Sequence, residues 1–486
     1  MKSAPAAARE SSSVDVVVIG GGAAGLMAAA SARAQGASVH VVKDKDGATA
    51  LSSGAIDIAD ADRALAPSRA ADPFAPTDIA RSIERLVVER PRHPYARLGE
   101  EGRARLDEAL SLFGALARGA PLVKRADGKN LVVLSALGTT KRAALCSAAL
   151  DLSALDVTSG PLGVVAPRGL AGFDARDVAR VLGYIARRAG RDLEIVELDV
   201  EHPWRGAPAD PLTFSRRLDA NEEARARLVD AIVESVRTEN AARAHDAKLR
   251  AVLLPVPLGV ASAEGARRAI EERSSVKTGE LLAHGLGAPG LRLAEALESG
   301  ARERDIVISR GRVVSASIVD GAVRALQIDD DGHARSIAAR AVVLATGRFL
   351  SGGFTDDGPA RECVFGLPIA IDGAPIDDRF VGDLVGQRPS AEHPLLRAGI
   401  VVDDALRPRA RDGSLLAANL FAAGSVIGGY DPARDGSGLG VPILTGFVAG
   451  ERAAHAASSD SAARLVAPDK ETVPVARVVD GGPSRA

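Results

Sequence analysis

The chain has 486 residues, 46% apolar and 26% charged, with 61 basic and 63 acidic side chains and a formal charge of −2. That length exceeds one small core and predicts two or three domains; the balanced charge excludes a global basic field for nucleic acid and a disorder-like acidic composition. Two cysteines exclude a disulfide framework, a four-thiolate zinc site or an iron–sulfur cluster, so redox chemistry here requires an organic cofactor and no metal ligands are assigned.

Residues 1–13 (MKSAPAAARESSS) are small and polar, without the apolar core of a signal peptide, and are expected to be a disordered tail. Residues 14–19 (VDVVVI) form a β-branched run read as a buried parallel strand. It enters GGGAAG at 20–25, which fits G-x-G-x-x-G through Gly20, Gly22 and Gly25. An alanine-rich stretch at 26–35 predicts a helix ended by Gly36, and 38–42 (SVHVV) a second strand. This is the order of a dinucleotide-binding βαβ unit. Gly20 permits the tight turn, Gly22 the approach of a phosphate, and Gly25 close packing of helix on sheet, with the helix N-terminus turned to the anion.

The second strand of such a unit ends near an acid that accepts bonds from an adenosine ribose. Here the position is Lys43, which has no acceptor. Three readings stay open: Asp44 or Asp46 substitutes by a local shift, Lys43 pairs with a terminal phosphate (which suits FMN better than FAD), or Lys43 is solvated. Ser52, Ser53 and Gly54 follow and are candidates for the polar edge of a cofactor ring.

Residues 61–304 are read as an insertion with its own α/β core: 161–166, a helix to 188, then 193–198 read as strand–helix–strand, and 216–250 as exposed helix. From 306 the pattern is a β-meander, with short strands at 306–308, 313–318, 323–328 and 335–338. Asp320-Gly321 and Asp331-Gly332 supply hairpin turns. Residues 341–345 form another buried strand, ending in Ala345-Thr346-Gly347. Residues 419–424 (NLFAAG) are a strand into a glycine-rich loop, and 441–456 a helix with Pro442 in its first turn. The end of the chain, 466–486, is expected to be disordered. The histidines at 93, 202 and 393 each precede proline and are assigned to loops without a catalytic role; Cys363 is read as a small buried apolar residue.

The order GGGAAG, β-meander, strand-ATG, strand-AAG, glycine loop and helix resembles the fumarate reductase/succinate dehydrogenase group of flavoproteins. That group is α/β, with two dinucleotide-binding domains, a Rossmann-like βαβ, a meander and an inserted α/β cap. A narrower resemblance is carried by LSSGAIDI at 51–58, LGTTKR at 137–142, ATGRFLSGGF at 345–354, ARECVFGLPI at 360–369 and NLFAAGSVIGGYDPARDGSGLG at 419–440. These blocks are similar to the B subunits of anaerobic glycerol-3-phosphate dehydrogenases, across about 14–456.

The resemblance implies oxidation of sn-glycerol 3-phosphate to dihydroxyacetone phosphate, with electrons sent toward quinone. It also implies two partners, a flavin-bearing A subunit and an iron–sulfur C subunit, and a cytoplasmic place, peripheral to the membrane through a partner. The cofactor is FMN or FAD, noncovalent because TALSSG at 49–54 lacks the histidine that related enzymes can link to flavin. The flavin part is expected at 14–60 and 305–460, with the cap between. Cofactor candidates beyond the first glycines, Lys43 and 52–54 are Thr346, Gly347, Gly424, Ser425, Gly438, Leu439 and Gly440. A phosphorylated polyol requires a dianion site and a base; Arg361 and Glu362 are the catalytic candidates, and Thr139, Lys141 and Arg142 the phosphate candidates on the insertion. The competing readings are a noncatalytic electron-transfer and assembly protein of the same complex, and a stand-alone flavin dehydrogenase of another small hydroxy or dicarboxylic acid.

Overall fold

The computed structural model describes residues 12–60, 72–151, 160–201, 203–204, 209–282, 287–355, 359–377, 379–388, 391–459 and 472–474. His202 and most of both terminal tails lie outside the described residues. The chain forms two compact units: 1–48, 85–116 and 297–486 in the first, 49–84 and 117–296 in the second. The second unit thus runs between different boundaries from the 61–304 read from sequence.

In the first unit, β1 (Ser12–Ile19) leads through the glycine turn into α1 (Ala23–Ala34) and β2 (Val39–Lys43), and α2 (Leu106–Leu116) follows much later. Then come β3 (Val307–Arg310), β4 (Arg312–Val319), β5 (Ala322–Asp330), β6 (His333–Leu344), β7 (Leu420–Ala422), α3 (Gly440–Ser459) and β8 (Thr472–Pro474). They build one sheet in the order β3-β2-β1-β6-β5-β4-β8, with β7 on the other part of β6. Val16, Val17 and Val18 of β1 have no exposed surface, as a central parallel strand buried on both faces requires.

Three details depart from the sequence expectations. The two strands expected at 335–338 and 341–345 are one strand, β6, whose first half pairs antiparallel with β5 and whose second half runs parallel to β1 and β7. The strand read at 306–308 pairs parallel with β2 and lies outside the meander. Residues 12–13 extend β1, and 472–474 pair with the edge strand β4, which otherwise presents unpaired backbone groups. The Asp-Gly turns behave as the sequence predicts. Asp320 and Gly321 have φ of 51° and 69°, Asp331 and Gly332 50° and 84°, the doubly left-handed form that tight hairpins need.

Helices α1 and α3 pack backbone to backbone. A Cβ on Gly446 would lie 2.6 Å from the Ala24 carbonyl oxygen, and one on Gly450 2.2 Å from that of Ala28. The Ser31 hydroxyl donates to the Phe447 carbonyl at 2.7 Å across this seam. α2 packs on both helices, which draws 85–116 into this unit.

The second unit holds a four-stranded parallel sheet in the order Lys277–Glu280, Ala251–Leu254, Leu162–Pro167, Ile195–Val200. Leu162 and Val164 pack under the helix Ala175–Arg188, through Val178, Leu182 and Ala186. Val165, on the other face, packs with Leu228, Ile232 and Ile270. The stretch read as one exposed helix at 216–250 is two, Pro211–Ala220 and Glu222–Ala241, broken at Asn221, whose side chain caps the second.

Candidate functional site

Parallel pairing brings the carboxyl ends of β1, β6 and β7 to one edge of the first sheet. Gly20 stands there with φ +114°, and its N–H donates to the Val42 carbonyl at 2.8 Å. A Cβ on it would lie 2.3 Å from the Ala345 carbonyl oxygen, and a Cβ on Gly25 would lie 1.9 Å from that of Gly20. Two strand ends and a helix start therefore meet with no room for a side chain. Gly22 is the N-cap of α1, at φ −80° and ψ −177°, and no side chain caps the helix.

Thr346 and Gly347 follow β6. The Thr346 hydroxyl is buried and makes no hydrogen bond. Gly347, at φ +78°, lies against Ser351 and Ser425. The Gly424 N–H donates to Thr445 Oγ1 of α3 at 2.8 Å, and a Cβ there would lie 2.5 Å from Ala24 of α1. Leu439 is buried, and Gly440 is the first residue of α3. Thus Gly20, Gly22, Gly25, Thr346, Gly347, Gly424 and Ser425 gather where α1 and α3 begin, and Gly438, Leu439 and Gly440 lead into α3.

Arg348 was not singled out from the sequence. Its guanidinium donates to the carbonyls of Ser425 (2.7 Å), Tyr430 (3.2 Å) and Leu396, and stacks 4.6 Å from the Tyr430 ring centroid. Its signal was its place directly after Ala-Thr-Gly.

Lys43 is neither solvated nor open to a ligand in this structure. Its stem lies on Gly21, where a Cβ would come 2.7 Å from Lys43 Cδ. Its ammonium donates to Glu298 Oε2 at 2.5 Å and Asp46 Oδ1 at 3.1 Å. Burial raises the Glu298 carboxyl, but bonds from Lys43 and Arg302 outweigh it and hold it below its usual range.

Arg361 and Glu362 form a two-residue strand paired with Phe354–Thr355. This hairpin adjoins the Thr346-Gly347 turn: Cys363 N donates to the Gly353 carbonyl at 3.0 Å, and a Cβ on Gly353 would lie 2.2 Å from the Gly347 carbonyl oxygen. Cys363 is only partly buried. Arg361 pairs with Asp377, which also pairs with Arg411. Glu362 is 1% exposed and accepts bonds from Val364 N (2.9 Å) and Phe365 N (2.7 Å). Burial pushes its carboxyl from 4.5 up to about 7, against those two amides. The folded chain therefore holds a proton that the unfolded chain releases. The associated stability is full below about pH 4.5 and is lost as pH rises through about 7. Chemical denaturation at pH 5 and pH 8 should differ by on the order of 3 kcal/mol from this group, and Glu362→Gln should remove that slope; an unchanged slope would show that Glu362 titrates normally.

The remaining candidates belong to the second unit. Gly54, at φ +73°, lies on Pro289, and its N–H donates to Ser52 Oγ at 3.3 Å; Ser53 is half-buried. Thr139 is exposed, with Oγ1 2.7 Å from Ser135 Oγ. Lys141 pairs with Asp57 at 3.4 Å. Arg142 pairs with Asp60 at 3.4 Å and donates to the carbonyls of Ala75 and Asp72. Lys141 and Arg142 are neighbours on the strand Thr140–Ala143, whose pleat sends them to opposite faces, so these cations do not converge on one anion.

The sequence profile of the family described as "FAD binding domain" matches residues 15–441. A chain from Halobacterium salinarum, named as the probable B subunit of anaerobic glycerol-3-phosphate dehydrogenase, is 31% identical over 446 residues, covering 89% of this chain and 96% of that one. The B subunit of the anaerobic glycerol-3-phosphate dehydrogenase of Pectobacterium carotovorum is 28% identical over 470 residues, covering 90% and 98%. Among solved structures, E. coli quinol fumarate reductase aligns at 12% identity with a TM-score of 0.39, over 93% of this chain and 72% of that one.

Proposed function

The chain belongs to the FAD-binding-domain flavoproteins and to the family of B subunits of the anaerobic glycerol-3-phosphate dehydrogenases, and from that premise we propose that it oxidises sn-glycerol 3-phosphate to dihydroxyacetone phosphate and passes the electrons through partner proteins to quinone. It is a flavin oxidoreductase of α/β fold. The observation that carries the finer reading is the hairpin of Arg361 and Glu362 seated, through Gly353, on the Thr346-Gly347 turn of the cofactor cradle.

The residues present fit a flavin. Glycines stand where any Cβ would collide, a buried Thr346 hydroxyl lacks a partner, and two helices begin beside it. The start of α1 would hold phosphate, and Gly438, Leu439 and Gly440, at the start of α3, the polar edge of the ring. A bound flavin supplies a two-electron acceptor for the carbinol hydrogen. Glu362 takes the hydroxyl proton, which requires its ionised form and makes the rate rise with pH through about 7. Arg361 holds the phosphate dianion.

The partners are a flavin-bearing A subunit and an iron–sulfur C subunit, through which the chain is peripheral on the cytoplasmic face of the membrane. Among the described residues no helix is long and apolar enough to cross a membrane. A second reading, in which the chain relays electrons without binding substrate, is favoured by the pairing of Arg361 with Asp377.

Anaerobic titration of the purified chain with glycerol 3-phosphate tests the proposal. Flavin bleaching by substrate and none by NADH is expected; bleaching by NADH alone would overturn it. The flavin is also expected to be noncovalent, since TALSSG has no histidine. Acid precipitation should leave the yellow colour in the supernatant, and a yellow pellet would contradict this. Chromatography then distinguishes FMN from FAD.

A further inference from the structure

We propose that residues 90–95 are the rear support of the glycine-rich loop 428–440, and that His93 is a positioning residue for the bound flavin, acting through Ser437. The proposal rests on the flavin reading above.

Four contacts join these segments. The Arg92 carbonyl oxygen would lie 2.2 Å from a Cβ on Gly429, which has φ +93°. The His93 ring is fully buried, with its centroid 5.5 Å from that of Tyr430. His93 Nε2 is 3.3 Å from Ser437 Oγ, also fully buried. Arg90 Nε faces Asp435 Oδ1 at 3.8 Å, while Asp435 Oδ2 accepts the Asp431 N–H at 2.9 Å.

The hydrogen bonds define the tautomer. Tyr95 N donates to His93 Nδ1 at 3.1 Å, so Nδ1 carries no proton and Nε2–H must donate to Ser437 Oγ. The Ser437 hydroxyl hydrogen is thereby turned away from the ring. Burial, and then the Arg90 charge, push the imidazole down to about 3, so it keeps this neutral, one-way form at working pH. The charged and titratable groups around it are Arg90, Asp435 and the two tyrosines, Tyr95 and Tyr430.

The loop needs such support. Gly436, Gly438 and Gly440 carry no side chain and have the greatest backbone freedom to lose. Ser437 sits among them, three residues before the first residue of α3. A hydroxyl pinned from behind by a ring that is itself held between two tyrosines sets where the following amides point, without touching the cofactor.

The test measures flavin dissociation constant and midpoint potential in the full chain for wild type, His93→Ala, His93→Gln, Ser437→Ala and the double variant His93→Ala/Ser437→Ala. Each alanine variant is expected to weaken flavin binding about tenfold and to shift the potential. The double variant should be no weaker than the worse single, and His93→Gln, which keeps an N–H donor, should bind like wild type. Wild-type affinity and potential in Ser437→Ala would overturn the proposal, and so would losses that multiply to about a hundredfold, because the residues would then act separately. Ser437→Ala leaves the His93 packing in place, so it decides the matter even if His93→Ala does not fold. A wild-type chain that takes up neither FMN nor FAD would instead sink the flavin reading itself.

Discussion

Gly22→Val is expected to yield a folded chain that binds no flavin, while Gly20→Val, two residues away, is expected not to fold. At Gly22 the backbone has φ −80° and ψ −177°, which any residue adopts without strain. The substitution therefore leaves the fold, but its branched side chain stands at the start of α1, where the phosphate must approach. A loss of at least about a hundredfold in flavin affinity, roughly 2.7 kcal/mol, is expected. At Gly20 φ is +114°, and a Cβ would lie 2.3 Å from the Ala345 carbonyl oxygen, backbone that cannot swing aside. Backbone strain of about 1–3 kcal/mol and overlap with rigid backbone of about 3 kcal/mol or more together reach the roughly 5 kcal/mol at the low end of domain stability. Circular dichroism and melting report the fold; fluorescence titration reports the flavin. Unchanged flavin affinity in a folded Gly22→Val chain would show that the loop is a turn and nothing more.

Arg361→Ala should slow flavin reduction by glycerol 3-phosphate about 10- to 100-fold while the flavin stays bound. A charged hydrogen bond to a phosphate dianion contributes roughly 1.5–3 kcal/mol. The fold should tolerate the change, because Asp377 keeps Arg411 as a partner when Arg361 is removed. Arg361→Lys should recover only part of the rate, since an ammonium cannot reproduce the planar fork. If Arg361→Ala is reduced at the wild-type rate, the substrate assignment fails and the electron-relay reading gains. Stopped-flow absorbance under anaerobic conditions separates these results, and the flavin content of each variant controls for indirect loss.

Much of the fold and part of the candidate site could be read from short stretches of sequence, because the causes are local. The β-branched run at 14–19, the glycines at 20–25 and the alanine-rich stretch behind them dictate strand, turn and helix through steric and torsional preferences of adjacent residues. Asp-Gly at 320–321 and 331–332 demands left-handed backbone, and both hairpins take it. The same locality explains the errors. The strand boundary expected between 338 and 341 vanishes because β5 and β1 hold successive halves of one strand, and no residue in β6 itself announces that.

What only the tertiary structure decided is which distant groups meet. Lys43 reads as a departure from a pattern, yet its partner Glu298 lies 255 residues away, and only the folded chain shows that its charge is already met. His93 reads as a loop histidine before proline, yet it is buried against Ser437, 344 residues on. Arg361 and Glu362 read as adjacent catalytic candidates, whereas in the folded chain Asp377 pairs with the first and the second turns inward to cap its own turn. Torsions and turns depend on neighbours along the chain and are legible there. Burial, charge pairing and proton affinity depend on which segments exclude water from one another, and that is a property of the packed chain alone.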